Sequence, residues 1–516
     1  MLATTVLRCG HRLGFRCSQR FSSNRSPKMS TLTAGALATL DPRVAVPGYD
    51  RDRVRVGIVH LGVGAFHRAH QAVYLDDVLA AGDRDWGICG VGVLPPDAAV
   101  RDVLAAQDCL YTLLAVDADG GTVPRVIGSH VAHLHAPDDP QAVVDRLADP
   151  GTRIVSLTIT EGGYGIDELT GTFDPRDVLT RADLAGAQPP HSAFGLIVAA
   201  LAARRAAGTP PFTVLSCDNV QHNGEVARAA VTGFARATDP GLADWIAAHV
   251  AFPNSMVDRI TPVTTDAVRD AVAGYGITDG APVRSEAYRQ WVIEDRFSAG
   301  RPALEQVGVQ IVPDVAPYEK MKLRLLNAAH QVMSYLGVLA GETYVHDVCR
   351  TPAFVDFLLG YLHAEAIPTL DPVPGIDLDD YCRTLIERFG SEAIRDTLAR
   401  QTVDASVRIP TFVLPVVRHQ LAGGGDIRRA ALTVAAWSRY LEGVTDAGAP
   451  IEISPDRRLP ELRAAVAAER ADPGVFLDQP EIFGDLGEHP RFRAAFVAAR
   501  AKLAGVGARA AMAGLA

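Results

Sequence analysis

From residue 54 the chain alternates short apolar runs with segments of helical period. Residues 54–61 (VRVGIVHL) form a nearly unbroken apolar run, long enough for a strand buried on both faces. A glycine turn, Gly62-x-Gly64, follows, and a helical pattern covers 65–81. Further runs lie at 86–93 (WGICGVGV), from Leu110 (LYTLLAVD), at 152–160 (TRIVSLTIT) and at 212–217 (FTVLSC), with helical stretches between several of them, notably 193–207. Strand and helix in alternation predict an α/β domain with a mostly parallel sheet. Beyond Pro313 the patterns are mainly helical, at 318–339, 352–363, 378–389, 393–400, 427–441 and 490–504. The expected order is a leader over 1–28, an α/β domain over 48–312 and a mainly α-helical domain over 313–510.

The helix predicted over 318–339 (YEKMKLRLLNAAHQVMSYLG and two further residues) carries chemistry. With about 100° per residue, Lys322, Leu326, Met333, Leu336 and Ala329 share an apolar arc, with His330 and Asn327 on its flank. Arg324 and Gln331 fall on the opposite, wet face. Buried polar groups are costly unless satisfied, so an amine, an imidazole and an amide on one flank call for a use. Each alone has a plain reading: a lysine that snorkels, a core histidine, a buried amide.

The turn after the first strand has the outline of a pyrophosphate site, where glycines let the backbone approach phosphates and a helix N-terminus supplies N–H donors. Gly62, Gly64, Ala65 and Phe66 are its candidate cofactor contacts, although Phe66 and His67 stand where a third glycine is usual. An acid for the ribose hydroxyls is expected after the second strand, and Asp97 is the candidate. The competing reading of Asp97 is the N-cap of the helix that begins AAVRDVL.

Composition narrows the class. The chain has 516 residues, 48% hydrophobic and 21% charged, with a net charge of −10. No apolar run reaches the roughly 20 residues of a membrane span, and the negative charge disfavours nucleic acid or an anionic membrane as partner. The seven cysteines are scattered without a C-x-x-C, which suits a reducing compartment and hence the cytoplasm. Residues 1–28 contain five arginines, one lysine and no acid, as in a mitochondrial transit segment. The other reading is that Met29 is the true start. His130, His133 and His135, or His67 and His70, invite a zinc reading, but no cysteine or ordered carboxylate completes a site, and no metal is expected.

Longer motifs then become informative. GVGAFHRAHQAVYLDD, SLTITEGGYG, SCDNVQHNGE, FPNSMVDRITP, RQWVIEDRF, KMKLRLLNAAH and LIERFGSEAIRDTLAR, in this order, resemble the mannitol dehydrogenase family, the polyol-specific long-chain dehydrogenases and reductases. The resemblance runs from about Val54 to beyond Pro415. It implies a Rossmann-type domain followed by a helical one, NAD as cofactor, no metal, and a polyol or ketose as small-molecule substrate. A monomer is compatible with it. Lys322, Asn327 and His330 match the family's catalytic signature, and Asn219 matches a second amide. Asp258 and Arg400 match substrate-binding positions, with an ion pair an equally open reading for each. Glu161 and Glu319 match acids near the entrance and the proton path. Arg408 lies close enough to Arg400 to serve a sugar acid.

The chemistry expected from these residues is the oxidation of a secondary alcohol. Burial disfavours an ammonium and so makes Lys322 a base near neutrality. The amides of Asn219 and Asn327 would stabilise negative charge on the substrate oxygen. His330 would orient the lysine or bind a neighbouring hydroxyl, and Glu319 would pass the proton to water. Mannitol and fructose are the expected pair, with mannonate (fructuronate) or arabinitol as alternatives within the family. A non-catalytic nicotinamide sensor would lack the lysine or the amides, and all are present.

Overall fold

A computed structural model describes residues 29–117, 119–167 and 171–515. The leader over 1–28, with Cys9 and Cys17, lies outside the described residues. Five strands form the central sheet: β1 (Val56–Leu61), β2 (Gly87–Gly92), β3 (His130–His135), β4 (Ile154–Leu157) and β5 (Thr213–Ser216). Their spatial order is β3-β2-β1-β4-β5, and every neighbouring pair is parallel. This is the strand order of a dinucleotide-binding sheet. Both faces are covered. Ile58, Ile88, Ile154 and Leu215 pack into one core, while Val59, Cys89, Val155 and Val214 pack into another on the opposite face. That explains why these strands read as continuous apolar runs rather than alternating ones.

The helix Ala193–Ala207 covers the second face. Ser192 caps it by accepting from Gly195 N, and Gly208, with φ +67°, ends it in the left-handed conformation.

Several expectations need correction. The run from Leu110 does not join the parallel sheet. Tyr111–Val116 pairs antiparallel with Thr122–Ile127 and parallel with Val283–Glu286 in a separate small sheet. A third sheet sets Ser255–Asp258 antiparallel to Gln290–Glu294. The helix expected over 65–81 is two, α1 (Ala65–Ala69) and α2 (Gln71–Ala81), broken at His70, whose φ of −122° and ψ of −86° leave the helical region. There the His70 ring is tied to the backbone oxygen of Gln290 at 2.8 Å, a tertiary bond that outweighs local propensity. Of the helix expected over 393–400, only Leu398–Gln401 forms, with Thr397 as its cap.

The second half is helical. Its centre runs through α3 (Ala316–Lys322) and α4 (Ala328–Leu339), joined by a π-helical turn at Leu323–Asn327. Around α4 pack α6 (Arg428–Tyr440) and α7 (Pro490–Ala513), while α5 (Leu378–Phe389) faces the nucleotide domain. Two other π turns, Leu362–Ala366 and Ile409–Val413, pack against the first. Gln331, expected on a wet face, is 1% exposed; it donates to Gln401 O and accepts from Tyr335. A central helix covered on all sides has no wet face, and its polar residues are satisfied from neighbouring elements instead.

Candidate active site

The register places Leu61, Val91, Leu157 and Ser216 level with one another at the carboxyl edge of the sheet, where ligands of such folds bind. Gly62 follows β1 with φ +93°, and a Cβ there would lie 2.1 Å from Thr158 O. Only glycine fits. Gly64 differs: it is exposed, and a Cβ on it would meet nothing within 4 Å. The protein leaves space there, at the start of α1, as a diphosphate needs. Ala65 and Phe66 open α1, with the Phe66 ring stacked on His70 at 5.0 Å. Asp97 is at the N-cap position of the helix Ala98–Ala106 but makes no cap bond to it. Its Oδ2 accepts instead from Val93 N and Leu94 N, both at 2.9 Å, at the end of β2. These residues fit NAD: open backbone for the phosphates and a fixed carboxylate for the ribose.

Across the edge stands Lys322, 8% exposed. Its Nζ donates to Asn219 Oδ1 at 2.6 Å and to Val257 O at 2.8 Å. Both acceptors belong to the nucleotide domain, whereas the stem belongs to the helical one. Because the exposed Asn219 turns its Oδ1 to the amine, its Nδ2 is turned the other way. Burial lowers the lysine's pKa, partly opposed by the carboxylates of Asp258 and Glu319.

The π turn sets the second amide. Ala328 N–H bonds to Leu323 O, five residues back, so residues five apart stack above one another. Lys322 and Asn327, at the two ends of that flank on an α-helical wheel, are thereby brought closer together. Asn327 Oδ1 is buried without a hydrogen-bond partner among the described residues.

Of the two roles expected for His330, orienting the lysine has no hydrogen bond behind it among the described residues, which leaves the binding of a hydroxyl. Its ring packs on Phe389 at 4.4 Å, and its buried Nε2 is likewise unpartnered among the described residues. Burial drives its pKa down to about 4, so it is neutral and suited to a hydroxyl. Glu319 is 9% exposed and accepts from His222 N at 2.9 Å. Burial raises its pKa, with the His222 N–H and Lys322 pulling the other way.

The remaining candidates stand around these groups: Asp258 and Glu161 act electrostatically on Lys322, and Arg400 and Arg408 on His330. Asp258 is paired with Arg388 at 2.8 Å. Arg400 is exposed and holds Asp396 through Nε and Nη2 at 2.7 and 2.6 Å. Arg408 is half-buried and donates to Gln401 O at 3.2 Å. Glu161 is exposed at the start of a short 3-10 turn, Glu161–Tyr164.

Two residues escaped the reading of the sequence. Asp218 accepts from Ile159 N, Thr160 N and Tyr164 OH, knitting the loops beyond β4 and β5 together. Arg388 is the other; it lies at the edge of the apolar arc of its helix, beside Tyr381.

The candidate histidines pack against one another. His67 Nε2 and His130 Nε2 are 2.9 Å apart, one donating to the other, and His60 stacks on His67 at 3.4 Å. Among the described residues no three His, Cys, Asp or Glu side chains are placed to hold a metal ion.

The sheet order, the glycine turn and the buried lysine between two domains define a nicotinamide-dependent dehydrogenase. Family models for the mannitol dehydrogenase Rossmann domain and the mannitol dehydrogenase C-terminal domain match residues 56–306 and 314–504. This chain belongs to the mannitol dehydrogenase family. It is 45% identical over 476 residues to mannitol 2-dehydrogenase of Phaeosphaeria nodorum, covering 91% of this chain and 83% of that one. To mannitol 2-dehydrogenase of Cereibacter sphaeroides it is 45% identical over 457 residues, covering 88% and 95%. The solved structure of Pseudomonas fluorescens mannitol 2-dehydrogenase, a ternary complex with NAD and D-mannitol, is 46% identical with a TM-score of 0.83, covering 94% of this chain and 99% of that one. A substrate-free D-sorbitol dehydrogenase is 38% identical with a TM-score of 0.87, covering 93% and 100%.

Proposed function

We propose that this protein oxidises D-mannitol to D-fructose with NAD and catalyses the reverse reduction. The observation that carries the reading is the buried Lys322 amine, held by Asn219 Oδ1 and Val257 O where the two domains meet. In oxidation the neutral amine takes the proton of the substrate hydroxyl, and in ketone reduction the ammonium returns it. The amide donors of Asn219 and Asn327 stabilise the negative charge that builds on the oxygen between these states. When bound, NAD would supply the hydride acceptor; Gly62, Gly64, Ala65 and Phe66 would hold its diphosphate side and Asp97 its ribose. Glu319 carries the proton toward solvent past His222. Asp258 and His330 bind the further hydroxyls, with Glu161, Arg400 and Arg408 at the mouth.

An initial-rate screen tests the assignment. D-mannitol, D-arabinitol, D-sorbitol and D-mannonate are each oxidised with NAD and with NADP. Mannitol with NAD should give the highest kcat/KM. A higher value for mannonate would move the protein to the sugar acids and make Arg400 and Arg408 the residues that select its carboxylate.

A further inference from the structure

Arg388 is 7% exposed and reaches from α5 of the helical domain to two strands of the nucleotide domain. Its Nη1 donates to Asp258 Oδ2 at 2.8 Å; its Nε and Nη2 donate to the two oxygens of Glu286 at 2.9 and 2.8 Å. The face of the guanidinium lies 3.9 Å from the centre of the Tyr288 ring. Glu286 is fixed further by Ile260 N at 2.6 Å. Asp258 directly follows Val257, whose carbonyl accepts from Lys322. One dipeptide thus serves both cations, the carbonyl for the lysine and the carboxylate for the arginine.

This division is chemically selective. A buried lysine beside a free carboxylate forms an ion pair, and an ion-paired lysine is a poor base because the anion holds the proton. Yet Lys322 forms no ion pair among the described residues, and both its acceptors are uncharged oxygens. Arg388 has taken the carboxylate in its place.

We propose that Arg388 is a positioning residue of the reaction: it occupies Asp258, and so keeps that carboxylate from capturing the Lys322 ammonium. The proposal rests on the reading of Lys322 as the base.

The surroundings leave few other ions to consider. Besides Asp258 and Arg388, the charged groups facing Lys322 are Glu319 and Glu161. Those facing Asp258 are Arg388, Lys322, the Glu286 carboxylate held by the same guanidinium, and four neutral rings. Burial pushes the phenols of Tyr74, Tyr288 and Tyr381 upward and the His70 imidazole down to about 3. Burial also opposes the charge on Asp258, but Arg388 and Lys322 outweigh it and hold this carboxyl below its ordinary value. After Arg388, Lys322 is the cation that acts most strongly on Asp258.

The test is the pH profile of kcat/KM for mannitol oxidation in four variants. In Arg388→Met the ionisation of the base should move up by about one pH unit or more, the effect of an opposite charge at close range. Activity then falls on the order of tenfold at pH 7 and recovers at high pH. Arg388→Lys should show a smaller upward displacement. Arg388→Met combined with Asp258→Asn, at whatever rate remains, should bring the ionisation back toward its original position, since the anion leaves with its counter-ion. An arginine that only supports the fold predicts a different pattern: a uniform loss at all pH values with the ionisation unmoved. That result, in Arg388→Met or, should it fail to fold, in Arg388→Lys, overturns the proposal. So does a downward displacement. The fourth variant, Lys322→Ala, separates the two levels. If the ionisation survives in it, Lys322 is not the base and the underlying reading falls; if it vanishes there but stays put in the Arg388 variants, only the role of Arg388 falls.

Discussion

Lys322 is one amine among apolar side chains, and its environment decides what it can do. Burial holds its pKa below that of an exposed lysine, so a neutral amine exists at lower pH than usual. The sign follows directly. Mannitol oxidation needs the neutral form and should accelerate as pH rises through this ionisation; fructose reduction needs the ammonium and should slow over the same range. Lys322→Ala should keep NADH binding, lose on the order of 10²–10⁴-fold in rate, and lose the ionisation from both profiles. Asn327→Ala should lose rate as well but retain the ionisation, because an amide stabilises charge without titrating. Near-normal turnover of Lys322→Ala in both directions would leave the lysine a mere snorkelling side chain. At this scale the sequence was informative because a lysine, an amide and a histidine on an apolar flank are costly. Arg388 passed unnoticed because a lone arginine near the end of an amphipathic helix is ordinary. Its two carboxylate partners lie 130 and 102 residues away in the chain.

At the scale of elements, two glycines in one turn do different work. Gly62 is required by the protein itself, since its φ is positive and Thr158 O leaves no room for a Cβ. Gly64 is required by nothing within the protein. Gly62→Ala should therefore lower stability, by on the order of 1–3 kcal/mol for the strain alone, read from the denaturant midpoint. Gly64→Ala should unfold within about 0.5 kcal/mol of the original protein yet bind NADH on the order of tenfold more weakly, as overpacking of a close contact does. Equal effects of the two changes on stability would contradict this division. The central strands were legible because burial on both faces writes a plain apolar run. The small sheets were not, since strands such as Ser255–Asp258 are short, partly polar and paired with distant segments. Nor could a wheel of regular period show the π turn at Leu323–Asn327, where one extra residue in the turn changes which side chains share a face.

Across the whole molecule, the base and the domain junction are the same contact. The Lys322 stem comes from the helical domain and its two acceptors from the nucleotide domain, and Arg388 adds a second bridge close by. Prolonged chelation followed by dialysis should leave initial rates intact, and activity that disappears and returns with added zinc would reopen the histidine clusters as a site.

The two bonds that hold Lys322 also count its valences. A neutral amine has two N–H bonds and one lone pair. Asn219 Oδ1 and Val257 O engage both N–H bonds, so the lone pair is left with the remaining tetrahedral direction. Protonation places an N–H along that direction and moves nothing else. The acid and base forms then differ by one proton in one place, and neither direction of the reaction needs a rotation of the side chain. The same geometry restricts the traffic of that proton. It cannot leave by an idle N–H, because none is idle. It departs where the substrate stood, or one of the two bonds opens first and turns the amine toward Glu319.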